Sequence, residues 1–482
     1  MAVVERIFEQ AQATPDKPAV FYNGQPMSYG AFAASIALAR RLLQDRRIER
    51  DRLIVLAMPT LPENWIIGLA LRSLGVTTIQ LSEGYGLAQL GLDAISVIST
   101  PRGAGPDLTE SAARFGTPVI LAPDELRLGV DELRTMPNIQ DFGSPGGHIL
   151  LTSGTTGAYK KVLIDADNEA RNVPLRAALM GLTAASVVNL FNFGGWTAYG
   201  YQWPVCAWSL GATVVIHQAP DTYRSLSTPG LTHAFTHPQL LAELLAAPAE
   251  AVPRNDALAL IVGAGVLPTS LWRAARERLT HDVRTIVGST EIGTFSLTRI
   301  ESADDLAWHR IDPAFQVQVV DENDLVTAPG RTGGVRMRTT GVDGYLGDAD
   351  ATRRCFRNGF FYPGDLGVMR EDGRLSLQGR VTDLINVMGN KIAAAPIEAQ
   401  LQDRLGAAAV CVFSHPTDDG EEVHAVIQPQ GPISLPDLKA ALIAAVPWVA
   451  SVRVHAVTAF PRNHMGKIDR AALKAQVLAP KS

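Results

Sequence analysis

The chain has 482 residues, too many for one compact core on a prior of about 100–200 residues per domain, so two or three domains are expected. A hydrophobic content of 46% with 19% charged residues describes a soluble globular chain, and a formal net charge of −5 offers no general attraction to nucleic acid or an anionic membrane. Three widely spaced cysteines (Cys206, Cys355, Cys411) form neither a disulfide framework nor a zinc pattern and fit a reducing compartment.

The first residues, Met1 to Arg6, lack a basic flank followed by an apolar run, so no secretory signal is expected. The longest apolar stretch, Trp65 to Leu71, is stopped by Arg72, short of the roughly 20 residues that span a bilayer. A cytoplasmic protein without a membrane span or nucleic-acid partner is the expectation. Val3 to Ala13 reads as a helix ended by Thr14-Pro15, and Ala19 to Tyr22 and Gln25 to Tyr29 as two strands around Asn23-Gly24. Ser28 is placed to cap a helix from Tyr29 to Leu43, whose Phe32, Ile36, Ala39 and Leu43 recur at helical spacing. A buried strand (Arg52 to Ala57), a helix (Leu61 to Leu74) and strands over 76–80, 94–98 and 117–121 follow. Such alternation predicts a mostly parallel sheet covered by helices.

Ile149-Leu150-Leu151 then reads as the end of a buried strand and Val162-Leu163-Ile164 as the start of another. Between them stand Thr152-Ser153-Gly154-Thr155-Thr156-Gly157-Ala158-Tyr159-Lys160-Lys161, a hairpin loop rich in hydroxyls with cations at its exit. Gly154 and Gly157 let the backbone curl until its amides converge, and such nests bind anions. An ordinary Ser/Thr/Gly turn is the plain alternative; the lysines favour a phosphate loop. The nucleotide loop that runs into a helix needs Gly-Lys-Ser/Thr, and here the lysine comes later and a strand follows.

A helix near 169–181 leads to the strand-like Ser186 to Phe193, then Gly194-Gly195-Trp196, a helix to Leu210, and a strand from Thr213 to His217. The alternation repeats through Ile261-Val262 and Thr285-Ile286-Val287. Gly288-Ser289-Thr290-Glu291 follows the latter strand, where ligands bind in open α/β sheets. One carboxylate with substrate phosphates is a usual Mg²⁺ arrangement, although Thr290 capping a helix and Glu291 answering its dipole would use the same residues. After about residue 313, short strands with Asp/Asn/Gly turns predict a β-rich segment. In its turn Tyr362-Pro363-Gly364-Asp365, Asp365 could accept both ribose hydroxyl protons or simply cap its own turn. From Val381 a compact set of strands and helices (396–404, 409–413, 423–428, 436–445, 451–457) predicts a small α+β domain.

The loop 152–160 resembles the phosphate loop of the adenylate-forming superfamily, Ser-Gly-Thr-Thr-Gly-x-Pro-Lys, with Tyr159 in place of proline. This superfamily comprises acyl- and aryl-CoA synthetases, adenylation domains of nonribosomal peptide synthetases, and beetle luciferases. Gly288 to Glu291 resembles its Tyr-Gly-x-Thr-Glu motif, with Val287 replacing the aromatic; Tyr362 to Asp365 resembles its Thr-Gly-Asp motif, with Pro363 for threonine. Gly379-Arg380-Val381-Thr382-Asp383-Leu384-Ile385 with Gly389-Asn390-Lys391 is similar to its hinge, and Pro461-Arg462 with Gly466-Lys467-Ile468 to its C-terminal motif. The resemblance runs from about Ser28 to Arg470 in the family's order.

What the resemblance implies is a large N-terminal domain (1–381) of parallel-type sheets with helices and a β-rich subdomain. A small mobile α+β domain (382–482) would pivot at Thr382. Thr152, Ser153, Gly154, Thr155, Thr156, Gly157 and Lys160 would hold the phosphates of ATP, with Gly265, Gly288 and Ser289 beside the nucleotide. Thr290 would touch the α-phosphate, Glu291 would hold Mg²⁺, Asp365 and Arg380 the ribose, and Lys391 the phosphates in one orientation of the small domain. Lys467 would bridge carboxylate and α-phosphate, and its acetylation would remove that charge.

The implied activity is a two-step acid–thiol ligation: an acyl-adenylate forms, then the acyl group passes to coenzyme A or to a carrier protein's phosphopantetheine. No fused carrier module is expected, since fifteen residues follow Lys467. Candidate walls for the acid are Asn192, Phe193, Gly194, Trp196, Gly263 and Ala264; any aromatic among them is as readily core as pocket. A neutral Asn192 after Phe191, where amino-acid-activating relatives carry aspartate, disfavours an α-amino acid and permits an aryl or aliphatic one. A nucleotide-binding protein without ligase activity, and a luciferase-like oxygenase, stay open as other readings.

Overall fold

The computed structural model describes residues 3–46, 48, 53–81, 87–92, 95–100, 110, 119–120, 145–152, 159–191, 193–218, 222–387, 390–405, 409–417, 420–429, 434–445, 452–462 and 468–479. Its framework is two α/β sheets side by side. The first, eight-stranded, runs in the order 293–299, 282–289, 259–262, 233–236, 187–189, 213–216, 18–22, 25–28. Its interior pairings are parallel and each edge is closed by an antiparallel strand. The second, six-stranded, runs 119–120, 95–99, 53–57, 78–80, 148–152, 160–164, parallel except for the final hairpin. Strands such as Leu53–Ala57 read as unbroken apolar runs because helices cover both faces of a parallel sheet.

Local chemistry sets the covering helices. Ser28 accepts from the Ala31 amide and starts Tyr29–Asp45. Thr60 and Glu63 form a capping box, with proline in the first turn, ahead of Leu61–Ser73. Asp165 caps Ala166–Met180, which ends on Gly181 at φ +71°. One expectation from the sequence is corrected, and one alternative is set aside. The strand expected over 186–193 is only Val187–Asn189: the Asn189 side chain accepts from the Phe191 amide and Phe191 turns to φ +50°. No helix follows Ser289; the strand Asp282–Ser289 turns back through 290–292 into Gly293–Arg299.

An antiparallel sheet of strands 317–320, 332–338, 356–357, 360–361, 365–369 and 375–380 packs its Val319, Val335, Met337, Phe361 and Leu375 into the same apolar cluster as both α/β sheets. Beyond it, Val381–Asp383 forms one 3₁₀ turn. A hairpin (384–387 with 390–393), two helices (Ala394–Leu405, Leu435–Ala445) and a three-stranded sheet (409–417, 420–428, 452–456) then bury an apolar cluster drawn entirely from residue 385 onward. Among the described residues, no helix is long and apolar enough to cross a membrane.

Candidate active site

The carboxyl ends of strands 187–189, 233–236, 259–262 and 282–289 in the first sheet, and of 148–152 in the second, lead to the sequence-predicted site residues. Crevices at such ends are where open α/β sheets bind ligands. Thr152 closes its strand opposite Lys160 in the antiparallel register, so strands 148–152 and 160–164 form a hairpin. Ser153, Gly154, Thr155, Thr156 and Gly157 within that loop lie outside the described residues, as does Asn192.

Glu291 sits in the turn after Ser289 and is 6% exposed. Tyr345 donates its hydroxyl to Glu291 Oε1 at 2.7 Å, and Thr152 Oγ1 approaches the same oxygen at 3.5 Å. The Lys160 ammonium lies 4.7 Å from the centre of the Tyr345 ring and 3.6 Å from Cys355 Sγ. Burial first, and then the Glu291 charge, pushes the Tyr345 phenol far above its ordinary range, so it stays a donor. Thr152, Lys160, Glu291 and Tyr345 thus converge from a hairpin, a sheet edge and the 339–348 loop. Tyr345 was missing from the sequence-based site, since its carboxylate partner is 54 positions away. Among the described residues no group of three or more His, Cys, Asp or Glu side chains could hold a metal alone. A lone buried carboxylate open to substrate phosphates fits Mg²⁺, which keeps one or two protein ligands beside a nucleotide.

Asp365 and Arg380 are direct partners across an antiparallel pair, and Arg380 Nε is 3.3 Å from Asp365 Oδ1. Gly364, at φ +83°, makes the turn that presents Asp365. Thr382 is exposed within the 3₁₀ turn, its hydroxyl donating to Asp383 at 3.1 Å. Lys391 lies on the strand Asn390–Ala393. Lys467 lies outside the described residues; Arg462 and Ile468 form an isolated antiparallel bridge. The Arg462 charge helps hold the His237 imidazole at about 4, after burial as the main cause.

At the other end, the Phe193 ring stacks on Tyr199 at 5.1 Å and meets His237 edge-on at 6.0 Å. A side chain on Gly263 would strike the Tyr199 hydroxyl, so Gly263, Tyr199 and Phe193 form one wall. Ala264 (φ +61°) and Gly265 are exposed at the same strand end, and Gly288 is exposed in the hairpin. Gly194 lies directly against the Trp196 indole. Trp196 faces the second sheet, in a cluster with Leu151, Leu87 and Tyr159, and its buried Nε1 has no partner among the described residues. Tyr199 and His237 escaped sequence reading because nothing in their local sequence separates them from core aromatics and caps. His237 indeed caps Pro238–Ala246.

A family profile described as AMP-binding enzyme matches residues 148–346, a span that includes Thr152, Lys160, Glu291 and Tyr345. The chain is 29% identical over 361 residues to a salicyl-AMP ligase / salicyl-S-ArCP synthetase of Mycobacterium tuberculosis, covering 70% of this chain and 62% of that protein. It is 28% identical over 349 residues to a salicylyl-CoA synthase / salicylate adenylyltransferase of a Streptomyces species, covering 67% and 62%. Each match thus spans 62% of the relative's own length. Among solved structures, ATP-bound MatB from Rhodopseudomonas palustris superposes with a TM-score of 0.85, 23% identity and 99% of both chains covered, a likeness of fold. The profile takes in both the phosphate hairpin and the buried carboxylate, and with the curated relatives it supports the adenylate-forming (AMP-binding) superfamily for this chain.

Proposed function

We propose that this protein is an ATP-dependent carboxylic acid ligase, forming an acyl-adenylate and then passing the acyl group, aryl or aliphatic, to the thiol of coenzyme A. The observation that carries the reading is the buried Glu291 carboxylate, fixed by Tyr345 and Thr152 at the mouth of the phosphate hairpin beside Lys160. Two anions must meet, an acid and a nucleotide triphosphate, so fixed positive charge and oriented donors are what the site has to supply.

In this reading Ser153, Thr155, Thr156 and Lys160 hold the β- and γ-phosphates, and Thr290 the α-phosphate. Glu291 holds Mg²⁺, which supplies charge neutralisation for the phosphate oxygens. Asp365 and Arg380, already paired across their strands, hold the ribose. Phe193, Tyr199 and Gly263 flank the acid. Lys467 steadies the carboxylate as its oxygen bonds to the α-phosphorus and pyrophosphate leaves. The boundary lies between residues 381 and 382, and the part from 382 then turns about Thr382, withdrawing Lys467 and admitting the thiol. The separate apolar core from residue 385 onward supports that division. The thiol sulfur bonds to the acyl carbon, AMP departs with the bond it loses, and Lys391 faces the phosphates in this second arrangement.

A carrier-protein phosphopantetheine is the second acceptor, favoured by the carrier-loading name of the Mycobacterium relative; the Streptomyces relative is named for CoA. The test is carboxylate-dependent pyrophosphate release with ATP, Mg²⁺ and a panel of aryl, short-chain, long-chain and amino acids. One acid class should turn over, and Lys467→Ala should reduce its adenylation about a thousandfold, consistent with loss of a group acting at the reacting oxygens. Thioester formed with free CoA would assign that acceptor; thioester formed only on a phosphopantetheinylated carrier would assign the other. Silence across the panel despite ATP binding would return the protein to nucleotide binding without ligation.

A further inference from the structure

The Gly195 peptide is held from behind at both of its polar atoms. Its N–H donates to Gln80 Oε1 at 2.8 Å, and its carbonyl accepts from His148 Nε2 at 2.8 Å. Both holding side chains come from the other sheet. Gln80 ends the strand Thr78–Gln80, and His148 begins the strand that runs into the phosphate hairpin. A carbonyl can only accept, so Nε2 carries the proton and Nδ1 accepts from the Thr78 hydroxyl at 2.8 Å. Gln80 and His148 are 7% and 3% exposed, and burial pushes the imidazole down to about 3, so it remains neutral across working pH.

The clamp is itself braced. The His148 ring stacks on Tyr201 at 3.9 Å with 17° between planes, and Tyr201 donates to Glu169 at 2.8 Å. Arg72, 1% exposed, grips Glu169 through two bonds of 2.8 and 3.0 Å. The neighbouring Trp196 carbonyl accepts from the Leu151 amide at 2.9 Å, one residue before Thr152. Gly195 has no room for a side chain, since a Cβ would lie 2.2 Å from Gln80 Oε1. Behind it lies a cavity lined by Gln80, His148, Tyr201 and Trp208, with room for about one water molecule, into which a freed peptide could shift.

We infer that His148 and Gln80 are positioning residues that lock the wall segment 193–196 to the phosphate-hairpin strand and so set the distance between the acid's carboxylate and the α-phosphate. This rests on the ligase reading above. Reacting groups held within near-attack distance lose rate steeply on small displacements, about a hundredfold for 1 Å. The clamp touches no substrate; it acts through the backbone of Gly195.

The experiment measures pyrophosphate release at varied acid and varied ATP for His148→Leu, His148→Gln, Gln80→Leu and Tyr201→Phe, with Tm for each. His148→Leu and Gln80→Leu should lower kcat/KM for the acid at least tenfold while KM for ATP stays within twofold. His148→Gln, which keeps an N–H donor for the Gly195 carbonyl, should recover most of the loss. Tyr201→Phe keeps the ring stack and loses the Glu169 bond, so it should lower Tm and leave KM for the acid unchanged. Should His148→Leu fail to fold, Gln80→Leu and His148→Gln decide the matter. A rise in KM for ATP as large as the loss in kcat/KM for the acid, or losses that track Tm across all four variants, would overturn the clamp. An active wild type whose variants keep their kcat/KM for the acid would overturn it alone, whereas a wild type silent with every acid would remove the ligase reading and the clamp with it.

Discussion

At the phosphate end of the site, side chains answer one another directly: Tyr345 and Thr152 approach Glu291, and Lys160 rests over the Tyr345 ring. At the acid end the walls are glycines, aromatics and bare backbone, and the polar groups that order them stand behind the wall, at His148, Gln80, Tyr201, Glu169 and Arg72. In the proposed reaction the first end would meet a ligand that varies little, a triphosphate with its metal ion. The second would leave its face free to suit a particular acid, with its order placed out of the substrate's reach. The difference shows that rigidity and recognition can be carried by separate residues, with the backbone as the link between them.

The sharpest way to break this contrast is to cut the brace. Glu169→Gln leaves the Arg72 guanidinium buried without its counter-charge, a change that typically costs about 3–5 kcal/mol of folding stability. Urea unfolding should show that loss, while the surviving folded protein binds ATP as the wild type does; ATP affinity falling with stability would mean the two ends are one unit.

At the phosphate end, Glu291→Gln should reduce adenylation about a hundredfold and raise the Mg²⁺ concentration needed for half activity, and Tyr345→Phe should cost about tenfold with a smaller Mg²⁺ shift, as expected when one bond to a buried charged group is lost. Mg²⁺ titrations of initial rate would test this, and unchanged midpoints in both variants would take Glu291 away from the metal.

A further effect concerns pH. Burial holds His148 down at about 3 and His237 and His309 at about 4, against about 6.5 for a free imidazole. Between those values the unfolded chain binds protons that the folded chain refuses, so stability falls as pH drops from about 6.5 toward 4, by up to about 1.4 kcal/mol per pH unit for each imidazole. Urea midpoints at pH 7, 6 and 5 should decline in that order, and His309→Gln should flatten the slope by one imidazole's share. A constant midpoint would contradict the neutral burial of these rings.

Local order in the chain was enough for much of this. The alternation of apolar strands and capped helices specified mostly parallel sheets covered by helices because each signal, such as Ser28 before Tyr29 or the Thr60–Glu63 box, acts within one turn. The hairpin of strands 148–152 and 160–164 was legible for the same reason, since its apolar runs flank consecutive glycines and hydroxyls. Tyr345, Tyr199, His237 and the clamp of His148 and Gln80 were not. His148 is 47 positions from Gly195, and Gln80 is 115. Whether a buried imidazole is idle core or the holder of a site's wall depends on which carbonyl the packing of two sheets delivers to it, and that is decided only when the chain has folded.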